Sequence, residues 1–123
     1  MATIMGGNLP TRQCLKEYRP GAEIKRIANY LGIAMKAGMV AAGDRTALET
    51  LKSGRAELVV MASDISPKTA QELLALASKQ ALPLLWWPDM NSLGLTVGKS
   101  RRGAVVIKDK GFTESIIKLC ISH

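Results

Sequence analysis

From Glu23 onward the apolar positions change period several times, and each change marks an element. Ile24, Ile27, Leu31 and Ala34 recur every three or four residues, which predicts a helix that ends at Gly38. Met39–Ala42 predicts a short strand. Ala47, Leu48 and Leu51 form the inward face of a second helix, with Asp44 as candidate N-cap and a stop near Gly54. Arg45, Glu49 and Lys52 align on its opposite face. Glu57–Ala62 is apolar and rich in β-formers, as suits a strand covered on both faces. Ser66 then caps a helix with Pro67 at its first position and Ala70, Leu73, Leu74 and Ala77 inward. Leu82–Trp87 predicts another buried strand with Pro83 near its start. Trp86 and Trp87 must point to opposite sheet faces there, so core packing claims at least one. Asp89 can cap a short helix with Met90, Leu93 and Val97 inward and Gly98 as its stop. Lys99–Gly103 is a basic loop and Ala104–Ile107 a last strand. Phe112, Ile116 and Leu119 mark a C-terminal helix.

Strands alternate with helices throughout, which predicts an α/β protein: a three-layer α/β/α sandwich on a mixed sheet of about four strands. Residues 1–21 carry no sustained period and are punctuated by Gly6, Gly7, Pro10, Pro20 and Gly21, so they read as a mobile leader. Within them, TRQCLKEYR could form one or two helical turns. Residues 22–123 then make a single domain, and a chain of 123 residues has material for one core.

Charge narrows the partner. The formal net charge is +7, and 47% hydrophobic residues exclude a disordered basic tail, so nucleic acid leads the partner classes. One Phe, two Tyr and two Trp leave little for an aromatic stacking platform. Recognition by shape and phosphate contact is the expected mode. Cys14 and Cys120 lie far apart with no CxxC, which reads as two buried or idle thiols in a reducing compartment. No apolar run reaches the length of a membrane span, and no signal-peptide order opens the chain. The expected location is the cytoplasm.

Catalytic chemistry has little to stand on. The single histidine, His123, is the last residue, which excludes a histidine-based acid–base pair in the fold. Asp44, Asp64 and Asp89 fall at predicted helix starts or strand ends, where capping accounts for them. No metal-ligand cluster is present, and Gly98-Lys99-Ser100 follows a predicted helix where a phosphate-binding loop would open one. The expectation is no enzyme, no cofactor, no metal and no small-molecule substrate.

Two constellations remain. Gly43-Asp44-Arg45-Thr46 opens the second helix, where free N–H donors and the positive dipole end favour an anion. Arg45 adds a fork of donors and Thr46 a hydroxyl. An ordinary capped turn with an exposed Arg45–Glu49 ion pair is the other reading, and Asp44 opposes phosphate unless its charge is occupied in capping. The second is Lys99-Ser100-Arg101-Arg102, with three cations in four residues. Their repulsion predicts an open loop that a polyanion gathers.

The run IANYLGIAMKAGMVAAGDRTALETLKSGRAELVVMASDIS, with LPLLWW and SLGLTVGKSRRGAVVI after it, resembles the kink-turn RNA-binding ribosomal protein family. That family includes archaeal large-subunit protein seven-Ae, eukaryotic large-subunit protein thirty-e and bacterial members of the YlxQ type. The resemblance covers about Glu23 to Ile107. It implies a four-stranded sandwich, no catalysis, no cofactor, and binding of structured RNA, either ribosomal RNA or a kink-turn. It further implies RNA contacts at Gly43, Asp44, Arg45, Thr46 and Glu49, and at Leu95, Thr96, Val97, Lys99, Arg101 and Arg102; Lys36 and Lys52 are expected to join them as cations on the same face. The archaeal pattern has Asn-Glu after the turn and a lysine three residues on; here Arg45 and Thr46 stand in the first two places and Glu49 in the third. A protein-interaction module on the same fold, using the Arg45/Glu49 face or the Trp86-Trp87 strand end, is the rival expectation.

Overall fold

The structure, a computed structural model, describes residues 16–121. Five strands form one sheet: β1 (Glu17–Tyr18), β2 (Val40–Ala42), β3 (Leu58–Ala62), β4 (Leu84–Trp87) and β5 (Ala104–Ile107). Between and after them run α1 (Ile24–Lys36), α2 (Asp44–Lys52), α3 (Pro67–Lys79), α4 (Met90–Thr96) and α5 (Lys110–Ile121). The spatial order is β1-β4-β3-β5-β2. β4 is parallel to both β1 and β3, whereas β5 runs antiparallel to β3 and β2. The sheet is therefore mixed, as expected.

The strand count differs from the expected four. The fifth strand, β1, comes from the segment read as leader: Glu17 and Tyr18 pair with Leu84 and Leu85, and the Leu84 N–H donates to Lys16 O at 2.8 Å. Trp86 holds this strand from the side, donating from Nε1 to Glu17 Oε1 at 2.8 Å with the Arg19 guanidinium 5.9 Å from its ring centre. An otherwise open edge of β4 is covered in this way. Residues 1–15 of the expected leader, and with them most of the TRQCLKEYR segment, lie outside the described residues.

Side-chain alternation sorts the helices. Leu58, Val60, Ala62, Leu85, Trp87, Val105 and Ile107 face α1, α4 and α5, packing on Ile27, Leu31, Leu93 and Ile116. Val59, Met61, Leu84, Ala104 and Val106 face α2 and α3, packing on Ala47, Leu51, Leu73 and Ala77. The result is the predicted three-layer α/β/α sandwich. Trp87 is buried at 2% exposure and belongs to the first core, while half-buried Trp86 packs on the second. The two tryptophans thus point to opposite faces.

Start signals act as read for two helices. Ser66 Oγ accepts from the Thr69 N–H, with Pro67 opening α3. Asp89 Oδ1 accepts from the Ser92 N–H at 2.7 Å, and Asp64 Oδ1 accepts from Met90 N at 2.9 Å, so two carboxylates serve the start of α4. The start of α2 corrects the sequence reading. Gly43 is its N-cap, with φ +113° and ψ 151°, a conformation open in practice only to glycine, and Asp44 is the first helical residue without a side-chain capping bond.

Candidate nucleic-acid interface

The two constellations meet at one end of the sheet because β5 runs beside β2. The Gly43 N–H donates to Ala104 O at 2.9 Å, which places the start of α2 against the start of β5. The basic loop enters β5 at that point. Arg102 folds its guanidinium arm over the turn, and a Cβ built on Gly43 would lie 3.8 Å from Arg102 Nε. Asp44 meets the loop's other side: a Cβ on Gly103 would stand 2.7 Å from Asp44 Oδ1 and 3.0 Å from Ile65 Cγ1. The turn and the loop form one continuous surface.

The loop is not splayed open by its charge. The Lys99 N–H donates to Gly94 O at 2.8 Å and the Arg102 N–H to Met90 O at 3.1 Å, tying the loop to both ends of α4. Arg102 Nη1 donates to Ser100 Oγ at 2.9 Å, Arg101 O at 3.0 Å and Ser100 O at 3.3 Å. One cation therefore closes the loop from inside, and Lys99 and Arg101 remain exposed. The expectation of a loop that only a polyanion gathers is corrected by these bonds.

Along α2, Arg45, Thr46 and Glu49 are exposed and follow one another over the first two turns. The ion pair considered between Arg45 and Glu49 is absent; among the described residues the one ion pair joins Arg26 to Glu23 at 3.7 Å, across the start of α1. Arg45, Lys52, Lys99, Arg101 and Arg102 thus have no carboxylate within 4.0 Å among the described residues. Lys52 stands at the far end of α2, about 12 Å from Asp44 at 1.5 Å per residue, and is separated from the turn by the length of the helix. Asp44 keeps an uncapped carboxylate in the first turn, so phosphate is disfavoured at the helix N-terminus itself and the cations beside it carry the attraction.

Lys36, Leu95, Thr96 and Val97 come together at a second place. They line a groove of about 540 Å³ between α1 and α4, with Gly32 also in its wall. Leu95 is 76% exposed and Ile33 opposite it 54%. Ile33 was missed by the sequence reading; its place one residue off the apolar stripe of α1 is the one signal that could have found it. Gly94 was also missed as a site residue. Glycine inside a helical pattern that has no turn to make marks a close approach.

Among the described residues no helix is long and apolar enough to cross a membrane, and no group of three His, Cys, Asp or Glu side chains is placed to hold a metal ion.

Comparison with known proteins puts this geometry in a family. Residues 25–117 match the model of the ribosomal protein L7Ae/L30e/S12e/Gadd45 family. The RNA-binding protein YlxQ of Bacillus subtilis is 29% identical over 89 residues, covering 72% of this chain and 89% of that protein. The large ribosomal subunit protein eL8 of Picrophilus torridus is 27% identical over 100 residues, covering 80% and 79%. Among solved structures, a protein of unknown function from Bacillus halodurans superposes with a TM-score of 0.72 at 26% identity, covering 76% of this chain and 95% of that one. The 15.5 kD RNA binding protein of Giardia lamblia superposes at 0.66 with 18% identity, covering 81% and 87%, and shares the fold. The family and the two sequence relatives carry the names of RNA-binding and ribosomal proteins, not of enzymes. The chain belongs to the L7Ae/L30e/S12e/Gadd45 family.

Proposed function

We propose that this family member binds structured RNA without catalysing a reaction, through the surface made by the Gly43 turn, the first two turns of α2 and the Lys99–Arg102 loop. One observation carries the reading: the loop and the turn are packed into one surface whose cations have no carboxylate partner within 4.0 Å among the described residues. Unpaired cations on a fixed backbone suit a polyanion of fixed shape, since their ordering is completed on folding and not on binding. The names of the YlxQ and eL8 relatives support RNA as that polyanion.

A kink-turn or a ribosomal RNA element is the finer reading, and cytoplasmic action accompanies it. Arg45 and Lys99 with Arg101 flank the turn and engage phosphates on the two sides of a bend, while Thr46 and Glu49 face the groove between them. Lys36, Leu95, Thr96 and Val97 extend the contact along the α1–α4 groove, and Lys52 reaches only an RNA stem long enough to follow α2. Phosphate contacts give affinity here, and shape gives selection.

Amide chemical-shift mapping with a kink-turn RNA tests the placement. The reading predicts the largest shifts at Gly43–Thr46, Glu49 and Lys99–Arg102. Shifts confined to the α1–α4 groove, or to the exposed face of α3, would replace this surface with another, and no shifts at all would favour the protein-interaction reading.

A further inference from the structure

Gly94 sits inside α4 and is buried, although the helix makes no turn or break there. Its carbonyl accepts from the Lys99 N–H at 2.8 Å and from the Val97 N–H at 3.2 Å. The missing side chain is filled by backbone: a Cβ at this position would overlap the Ser100 carbonyl oxygen, lie 2.6 Å from the Ser100 carbonyl carbon and 3.1 Å from the Arg101 Cα. Backbone atoms cannot rotate away as a flexible side chain can. Neither can α4 retreat, because Leu93 beside Gly94 is fully buried against the sheet. The exposed residues Lys99, Ser100 and Arg101 are the part left free to move.

We infer that Gly94 is a positioning residue of the interface: it lets the loop backbone lie directly on α4, and this seat together with the Arg102 brace sets where Lys99 and Arg101 present their charges. The inference rests on the RNA-binding reading above for its functional half, and on the loop contacts alone for its structural half. Two devices hold the same loop. Gly94 lets its backbone lie on α4, and Arg102 Nη1 ties the Ser100 and Arg101 carbonyls together. A loop set in this way meets RNA with two cations already spaced, so their contribution does not have to overcome loop ordering at the moment of binding.

Gly94→Ala tests the floor and Arg102→Lys the brace; the second variant keeps the charge, at a half-buried surface position, and loses the planar fork. The structural half is read without RNA. Amide hydrogen exchange at Lys99 and Arg102, both hydrogen-bonded to α4, should be slow in the parent protein, and Gly94→Ala should speed it at both while leaving the β3 and β5 amides protected. Unchanged exchange in Gly94→Ala overturns the inference whatever RNA does. The functional half is read as affinity for a structured RNA against salt. Losing two phosphate contacts makes the slope of log affinity against log salt shallower by about 1.8, at about 0.9 per phosphate. At 0.1 M salt that is a loss of up to about sixtyfold. Arg102→Lys weakens binding in the same sense although the net charge is unchanged.

A cycle separates this inference from the function it rests on. Adding Gly94→Ala to a Lys99→Ala/Arg101→Ala background, where the positioned charges are gone, lowers affinity by less than about twofold. A full additional loss there overturns the positioning role while RNA binding stands. Absence of RNA binding by the parent protein overturns the functional reading and leaves the exchange result to decide the seat of the loop.

Discussion

Glu49→Lys probes the face of α2 with the least disturbance to the fold. Glu49 is exposed in the middle of a nine-residue helix and has no cation within 4.0 Å among the described residues, so its removal breaks no ion pair. The new lysine would lie four residues after Arg45 and three before Lys52, which makes two like-charge neighbours at about 0.2–0.5 kcal/mol each. The expected destabilisation is therefore below about 1 kcal/mol, small beside the stability of an ordinary domain. On the proposed RNA-binding face the change removes a negative charge and adds a positive one. One added charge-assisted contact to RNA is worth on the order of 1 kcal/mol net at an exposed site, or about fivefold in affinity. Fluorescence anisotropy with a labelled kink-turn RNA and a plain duplex of equal length reads the gain. The gain should be larger on the kink-turn, because only a bent RNA brings two strands to this face while the loop is engaged. Equal gains on both RNAs would refute the placement of the site on α2, since any added charge raises nonspecific affinity.

Arg101→Ala should weaken binding to all structured RNAs by a similar factor, because an exposed loop cation contacts phosphate more than bases, and the denaturation midpoint should move by less than about 0.5 kcal/mol of stability; unchanged affinity would remove the loop tip from the site. Gly43→Ala should cost about 1–3 kcal/mol in urea denaturation, because the residue holds φ +113° with ψ 151°; an unchanged midpoint would contradict the backbone geometry at the start of α2. Burial pushes the Cys120 thiol up, so less thiolate is present at any given pH than in a free cysteine. In a Cys14→Ser background, iodoacetamide at pH 8 should therefore alkylate Cys120 more slowly than free cysteine, with the difference vanishing in urea; equal rates under native conditions would refute its burial.

Elements with their own chemistry were legible in the sequence. Ser66-Pro67 and Asp89 announce α3 and α4 because their capping groups act within three residues, and β3 and β5 announce themselves by unbroken apolar runs. β1 was not legible. Two residues cannot display a period, and the bond from Leu84 N to Lys16 O is backbone chemistry that any sequence could make. The cap of α2 was misread because Asp44 has the right side chain, whereas the backbone of Gly43 takes the position and turns Asp44 toward Gly103.

The site divides along the same line. Arg45 and Glu49 share a helix face by spacing alone, so their relation was visible. Their ion pair was not decided by spacing, because two exposed side chains need not meet. The state of the basic loop is tertiary throughout: charge counting predicts repulsion, while a missing side chain on α4 and an inward-turned Arg102 set the outcome. Lys36 joins Leu95, Thr96 and Val97 only because α1 and α4 lie side by side on one face of the sheet.

The central claim is that unpaired cations at the end of the sheet bind structured RNA. Affinity for a kink-turn RNA and for a plain duplex, each measured across a salt series from low to physiological ionic strength, tests it most directly. If Arg45, Lys99 and Arg101 each neutralise one phosphate there, and Lys36 a fourth from the α1–α4 groove, log affinity falls against log salt with a slope of about −3.6 on the duplex, at about −0.9 per phosphate. The account predicts a slope of that size with tighter binding to the kink-turn at every salt concentration. No binding at low salt, or a slope near zero, would contradict it.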